Sequence, residues 1–206
     1  MKLSRLLLTC VIGSFLSFPA KADTLPASHP TADVVKKYLE SVVKQDWETA
    51  GKMLLPTSLE RRKDQMILSI KNSETMTIEA AKLNMLGIKD IKELEKMSPQ
   101  EAYVLDRKAV HERVKLTEEV LKKKQDTLKI NILGLIPEDE GKIVHALVRT
   151  NQQTLDAKID ELLLISVVQD KADSKKWLVA PDMQNPITTP LKAGEEKKEE
   201  KKSDKK

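Results

Sequence analysis

The chain has 206 residues, of which 33% are charged and 3% are aromatic, and its formal net charge is +4. Most of the positive excess lies near the two ends, because residues 23–191 contain 26 basic and 27 acidic side chains. A nearly neutral body with few aromatic rings lacks the basic face and the stacking surfaces that nucleic-acid binding requires. The composition therefore predicts no nucleic-acid partner. It also excludes two classes of protein, the collagen-like proteins and the disulfide-framework proteins.

The first 22 residues have the three-part pattern of a secretory signal peptide. Lys2 and Arg5 precede an apolar run over 6–18, and small residues over 20–22 suit cleavage before Asp23. The run is much shorter than the roughly 20 residues of a membrane-spanning helix. We therefore predict export to the periplasm or the medium, with no transmembrane segment in the mature chain.

Cofactor and metal motifs are incomplete in this sequence. The only cysteine, Cys10, lies inside the predicted signal peptide, so the mature chain would have no thiol for catalysis, disulfides or metal binding. His111 and Glu112 begin a zinc-protease helix motif, but Lys115 occupies the position of the second histidine. We predict neither a metal site nor a cofactor.

Domain boundaries follow from shifts in composition. Residues 23–30 predict a linker, and residues 31–182 predict one folded domain with a helical insert at about 77–97. Residues 183–206 form a tail rich in lysine and glutamate, with no apolar residue after Ala193. Such a tail cannot bury enough apolar surface to offset its ordering entropy, so the sequence predicts disorder there.

Apolar residues at helical spacing predict a helical first half. They recur every three to four residues over 32–45, and Asp46 is placed to cap a second short helix that ends at Pro56. Thr57 and Glu60 form a capping-box pair for a third helix.

Two more stop and start signals follow along the chain. Gly87 divides the insert into two predicted short helices. The sequence Ser-Pro-Gln-Glu over 98–101 is a second capping-box pattern, which predicts a helix to about residue 115, with an extension to residue 124 left open.

After the helices, the apolar pattern changes to strand-like alternation. Residues 128–136 and 142–149 predict a hairpin with a turn at 137–141, and the aliphatic run over 159–168 predicts a strand covered on both faces. A shorter strand follows at 175–179. The sequence therefore predicts an α+β fold in which several N-terminal helices pack on a curved, mainly antiparallel four-stranded sheet.

One face of the predicted hairpin collects polar side chains. Pairing Ile136 with Lys142 across the turn separates four polar residues from the aliphatic residues of the other face. The four are Lys129, Asn131, His145 and Arg149. If this face lines a pocket, His145 would act as a general base while Arg149 or Lys129 stabilises an oxyanion. A structural histidine on a mixed sheet face is the alternative.

Glu161 is a further candidate for a ligand pocket. It interrupts the aliphatic run of the third strand, and carboxylates are seldom buried without a partner. A position at the edge of the strand would make it an ordinary surface residue.

Two short phrases lie at the junctions of these elements. They are Lys-Gln-Asp-Trp-Glu-Thr-Ala over 44–50, between the first two helices, and Lys-Trp-Leu-Val over 176–179, in the last strand. With the order of elements, they resemble the nuclear transport factor 2-like superfamily, the cystatin-like α+β roll, especially its small secreted bacterial members of unknown function. The resemblance covers about residues 31–182. It implies a cone-shaped roll with a pocket at its open end.

That superfamily includes isomerases, dehydratases, ligand binders and modules without chemistry, so the resemblance alone does not choose a function. We expect an exported, non-catalytic module that binds a small ligand or a protein partner, and a homodimer is compatible with it. The alternative is an isomerase or dehydratase that uses His145. A third hypothesis is attachment to anionic envelope polymers through the tail.

Overall fold

A computed structural model describes residues 24–181 of the chain. The predicted signal peptide and the predicted tail lie outside the described residues. Within them, seven α-helices precede a four-stranded antiparallel sheet and pack with it, which confirms the predicted α+β class. None of the described helices is both long enough and apolar enough to cross a membrane.

The helices occupy most of residues 30–127. Their bounds are α1 Pro30–Lys44, α2 Trp47–Lys52, α3 Pro56–Lys71, α4 Met76–Leu86, α5 Ile91–Lys96, α6 Pro99–Val114 and α7 Glu118–Thr127. The segment before α1 is tied to the sheet, because the backbone N–H of Leu25 donates to the carbonyl oxygen of Leu135 at 2.8 Å.

Three of the predicted helix boundaries are present. The Asp46 carboxylate accepts from the backbone N–H of Thr49 at 3.0 Å and caps α2. Gly87 has φ of 71° and ends α4, a left-handed conformation that glycine adopts without steric cost. Ser98 and Glu101 form both hydrogen bonds of a capping box at the start of α6.

The predicted start of α3 is wrong. Pro56 begins this helix rather than ending α2, and the residue before it, Leu55, provides no side-chain cap. Proline suits the first helical position because its fixed φ matches the helix and its missing N–H would have had no partner there. Thr57 consequently lies inside the first turn and is exposed to solvent.

The four strands form a meander in the order β1-β2-β3-β4. Their bounds are β1 Lys129–Glu138, β2 Ile143–Gln153, β3 Lys158–Gln169 and β4 Trp177–Val179. The predicted pairing of Ile136 with Lys142 is wrong, because Ile136 pairs with His145. Two features shift the register: β1 extends to Glu138 before a short 3₁₀ turn, and a bulge lies between Ile132 and Gly134.

The two faces of the sheet have different surroundings. On the inner face, Val144, Ala146 and Val148 of β2 are fully buried in a core shared with α1, α2 and α6. On the outer face, Leu162 and Leu164 of β3 are 56% and 45% exposed. The prediction that β3 is covered on both faces is therefore wrong, since the helices of the described range leave this part of the outer face open.

A second core lies within the helical layer. It consists of buried residues from α3 to α6: Ile70, Leu83, Ile88, Leu94 and Ala102. The predicted helical insert contributes α4 and α5 to this core. Helix α6 joins the two cores, because Ala102 belongs to the second whereas the next two residues, Tyr103 and Val104, belong to the first.

Candidate ligand-binding site

A pocket of about 360 Å³ opens between α1, α6, α7 and the inner face of the sheet. Much of its wall is apolar, and the aliphatic side chains come from all three helices and from β3. Examples are Val42, Val110, Leu121 and Leu163, with the indole of Trp47 beside them at the start of α2. The wall also has seven polar members: Gln45, Arg107, His111, Lys124, Thr150, Gln152 and Glu161.

The helical side of the pocket is organised by the end of α1. Gln45 ends that helix with φ of 60°, and its backbone N–H donates to carbonyl oxygens of the last turn. Its side-chain nitrogen lies 2.9 Å from Nδ1 of His111 on α6. An amide nitrogen only donates, so Nδ1 accepts in this contact.

The floor of the pocket is formed by β2 and β3. Thr150 and Gln152 are two residues apart on β2, so they share the inner face, and Glu161 of β3 lies directly opposite Thr150. Both β2 residues are buried, at 4% and 8% exposure, whereas Glu161 is exposed at the pocket mouth.

Gln152 has a buried acceptor without a partner. Its Oε1 atom is shielded from solvent and accepts no hydrogen bond from any residue within 24–181. Leaving a buried acceptor unsatisfied costs about 1 to 3 kcal/mol. A rotation of the Gln152 side chain that brings this atom to the pocket surface, where a bound molecule presents an N–H or O–H group, would remove that cost.

The charged groups of the pocket differ in how far they are already paired. Arg107 donates to Asp106 at 2.7 Å, and Arg62 donates to the same carboxylate oxygen at 2.5 Å. Burial alone would raise the pKa of Asp106, but the two arginines outweigh it and hold that pKa below its ordinary value. By contrast, neither Lys124 nor Glu161 forms an ion pair or side-chain hydrogen bond with another described residue.

Of the five residues selected from the sequence, Glu161 lines the pocket and the other four do not. Lys129, Asn131, His145 and Arg149 do share one face of the sheet, but it is the outer one. The inner face is taken by Val144, Ala146 and Val148, which can be buried without a polar partner.

Both ring nitrogens of His145 are already in contact with other side chains. Its Nδ1 lies 2.9 Å from the hydroxyl of Ser166, and its Nε2 lies 2.5 Å from a carboxylate oxygen of Glu138. The histidine thereby links β1, β2 and β3, and Ser166 is only 1% exposed. Arg149 pairs with Asp160 at 3.6 Å. It lies four residues from His145 along β2, which separates the two Cα atoms by about 13 Å.

Several pocket residues were not selected from the sequence. Thr150 and Gln152 follow Val144, Ala146 and Val148 at every second position of β2. This alternation could have predicted that they share the inner face. The Gln45–His111 contact had no such signal, because it joins residues 66 positions apart through the packing of two helices.

Comparison with protein-family models, with curated proteins and with solved structures finds no match for this chain. Within residues 24–181, no group of three or more His, Asp or Glu side chains is arranged to hold a metal ion. The chemistry of the pocket follows from its lining side chains: a largely apolar wall, one unsatisfied acceptor, and an unpaired charge of each sign.

Proposed function

We propose that the chain is an exported, non-catalytic module that binds a small ligand in the pocket between α1, α6, α7 and the sheet. The observation that carries this proposal is the unsatisfied, buried Oε1 of Gln152 in a largely apolar wall. Small-molecule sites are typically concave and mainly apolar, with a few placed polar groups and volumes of about 300 to 1,000 Å³. The pocket has these properties.

Membership of the nuclear transport factor 2-like superfamily is part of the same proposal. It is supported by the order of helices before an antiparallel meander, by Trp47 at the start of the second helix, and by the pocket against the inner sheet face. The resemblance implies a pocket at the open end of the roll, in agreement with this arrangement.

An isomerase or dehydratase that uses His145 is less well supported. A general base needs access to the proton it removes. His145 lies on the outer face of the sheet, outside the pocket, and both of its ring nitrogens have side-chain partners.

Trp47 provides a reporter for binding. The chain has two tryptophans, and Trp177 lies in β4. A Trp177→Phe protein would leave Trp47 as the only indole, at the pocket wall. Titration with N-phenyl-1-naphthylamine, an uncharged apolar probe with one N–H donor, should quench Trp47 saturably while the emission of the probe rises.

Two aliphatic residues of similar exposure, one at the pocket and one on the outer sheet face, provide a matched pair of variants for this titration. Val114 lines the pocket and is 58% exposed, and Leu162 is 56% exposed on the outer sheet face. In the Trp177→Phe background, Val114→Glu should weaken probe binding about tenfold or more because it places a charge beside the apolar wall, and Leu162→Glu should not. Equal effects of the two variants, or no quenching of Trp47, would refute pocket binding.

Export is tested separately. Residues 1–22 carry the signal pattern, so protein recovered from the periplasm or medium of producing cells should begin near Asp23 on amino-terminal sequencing. Exported protein that still begins at Met1 would contradict cleavage.

A further inference from the structure

The polar floor of the pocket contains three acceptors and no cation of its own. Thr150 and Gln152 follow each other on the inner face of β2, and Glu161 lies across from Thr150 on β3. Directly opposed side chains in an antiparallel pair have Cβ atoms about 5 Å apart, and diagonal neighbours are about 7 to 8 Å apart. A single small group between these side chains can therefore reach the hydroxyl and the carboxylate, and the carboxamide oxygen once the Gln152 side chain turns toward the pocket.

We propose that the pocket selects primary amines in their ammonium form, carried on an apolar body. This inference rests on the proposed function and specifies its ligand class. An ammonium has three N–H donors and no acceptor, which matches the three acceptors of the floor. The apolar body lies along the aliphatic wall of α1, α6 and α7.

Of the two unpaired charges of the pocket, Glu161 lies on the floor and Lys124 lies on the α7 wall. Glu161 has no ion-pair partner among the described residues, so its carboxylate is available to a cation. Arg107 is engaged with Asp106, and Lys124 lines the pocket without pairing with Glu161. A hydrogen bond between ionised groups is roughly twice as strong as a neutral one. An amine should thus gain more from this floor than an alcohol, which offers one donor and no charge.

The burial of Gln152 adds a requirement for a donor. Its Oε1 is the unsatisfied acceptor, and the residue is only 8% exposed. A carboxylate ligand has no donor for this atom, and the attraction of Lys124 on the α7 wall would draw it away from the floor, where Glu161 repels it. Carboxylates of the same chain length should therefore bind more weakly than both the amine and the alcohol.

A series of probes with one common chain tests the ligand class. Hexylamine, 1-hexanol and hexanoate are each titrated at pH 7 against the complex of the Trp177→Phe protein with N-phenyl-1-naphthylamine, and displacement is measured. The amine should displace the probe at a concentration about tenfold lower than the alcohol, and hexanoate should be the weakest. Displacement by hexanoate as good as that by hexylamine, or equal potency of amine and alcohol, would overturn the proposal while leaving pocket binding intact.

Neighbouring acids on β3 provide a matched pair of variants. Glu161 faces the pocket, whereas the preceding residue, Asp160, lies on the outer face. Glu161→Gln should reduce the affinity for hexylamine about threefold to fivefold and leave that for 1-hexanol nearly unchanged, because it removes an exposed charge and keeps the shape. Asp160→Asn should change neither. A loss of hexylamine affinity in Asp160→Asn equal to that in Glu161→Gln would mean that general surface charge attracts the amine.

Gln152→Leu gives a measurement that needs no ligand. Removing an unsatisfied buried acceptor in favour of an apolar side chain of similar size should raise the melting temperature of the free protein. It should also lower the affinities for hexylamine and for 1-hexanol to a similar extent, since both ligands donate to Oε1. A lower melting temperature with unchanged affinities would show that Gln152 is a structural residue and would refute its role in the site.

Discussion

At the scale of single residues, the carboxylate of Asp106 is held by two arginines, of which Arg107 lines the pocket. It receives hydrogen bonds from Arg62 of α3 and Arg107 of its own helix, which hold its pKa below the ordinary value despite the opposing effect of burial. We expect Asp106→Asn to cost about 1.5 to 3 kcal/mol in the free energy of unfolding at pH 7, the range for hydrogen bonds that involve a charged group.

This cost should depend on pH in a defined direction. A carboxylate whose pKa is lowered by folding contributes stability above its unfolded pKa of about 4, and that contribution is lost as pH falls through the lowered value. The urea-unfolding free energies of Asp106→Asn and the unsubstituted protein should therefore begin to converge below about pH 4 and meet once the pH is below the lowered pKa. Asp160→Asn is the control, because its ion pair with Arg149 is about half exposed and should be worth less than about 1 kcal/mol. A pH-independent difference for Asp106→Asn would contradict the ion-pair account.

The sequence was enough to predict which side chains share one face of a strand. It was not enough to predict which face the helices pack against. Parity correctly groups His145 with Arg149, because side chains alternate strictly along β2. Which of the two faces the helices cover is not contained in that alternation, since both faces carry aliphatic residues such as Leu147 and Val148. The helices cover the face that has no charged side chain on β2.

At the scale of elements, two capping patterns of the same kind give opposite outcomes. Ser98 and Glu101 form a complete capping box, whereas Thr57 lies inside the first turn of α3 and does not cap it. Ser98→Ala should therefore cost about 1 kcal/mol, within the usual range of about 0.5 to 2 for loss of a cap. Thr57→Ala should change stability by less than about 0.5 kcal/mol, because its side chain is exposed and caps nothing.

Thermal or urea unfolding of these two variants measures the difference directly. Equal losses of stability would mean that α3 begins at Thr57, as its sequence pattern suggests, and that the Pro56 start is incorrect.

The boundaries that could be predicted are those fixed by local chemistry. Asp46, Gly87 and Ser98 each end or begin a helix through their own side chain or backbone freedom. The break between α6 and α7 has a local signal on one side only: Thr117 caps α7 by accepting from the backbone N–H of Val120 at 3.3 Å, whereas Lys115 ends α6 in a left-handed conformation with φ of 48°. That conformation costs a non-glycine residue about 1 to 3 kcal/mol and is maintained by the surrounding structure. The prediction of the β1–β2 register failed for a related reason, since a bulge cannot be located from alternation alone.

At the scale of the whole molecule, the pocket depends on the position of α6. This helix presents His111 and Val110 to the pocket, and it also joins the core beneath the sheet to the core of the helical layer. Tyr103 and Val104 pack in the first core, and the adjacent Ala102 packs in the second. A substitution that destabilises the core of the helical layer should therefore also destabilise the core beneath the sheet.

We therefore expect the two cores to unfold in one transition. Both tryptophans pack against the first core, so their fluorescence reports its loss, whereas far-UV circular dichroism reports the helices of both cores. Leu94 is fully buried in the second core, and Leu94→Ala should cost about 2 to 5 kcal/mol.

Because α6 couples the cores, Leu94→Ala should lower the urea midpoints of both signals equally, although neither tryptophan belongs to the second core. Leu68→Ala is the control: this side chain of α3 is 55% exposed, and its removal should leave both midpoints nearly unchanged. A variant in which the dichroism midpoint falls while the fluorescence midpoint stays would show that the helical layer unfolds by itself. In that case the position of His111 and Val110 at the pocket would not depend on the packing of α4 and α5.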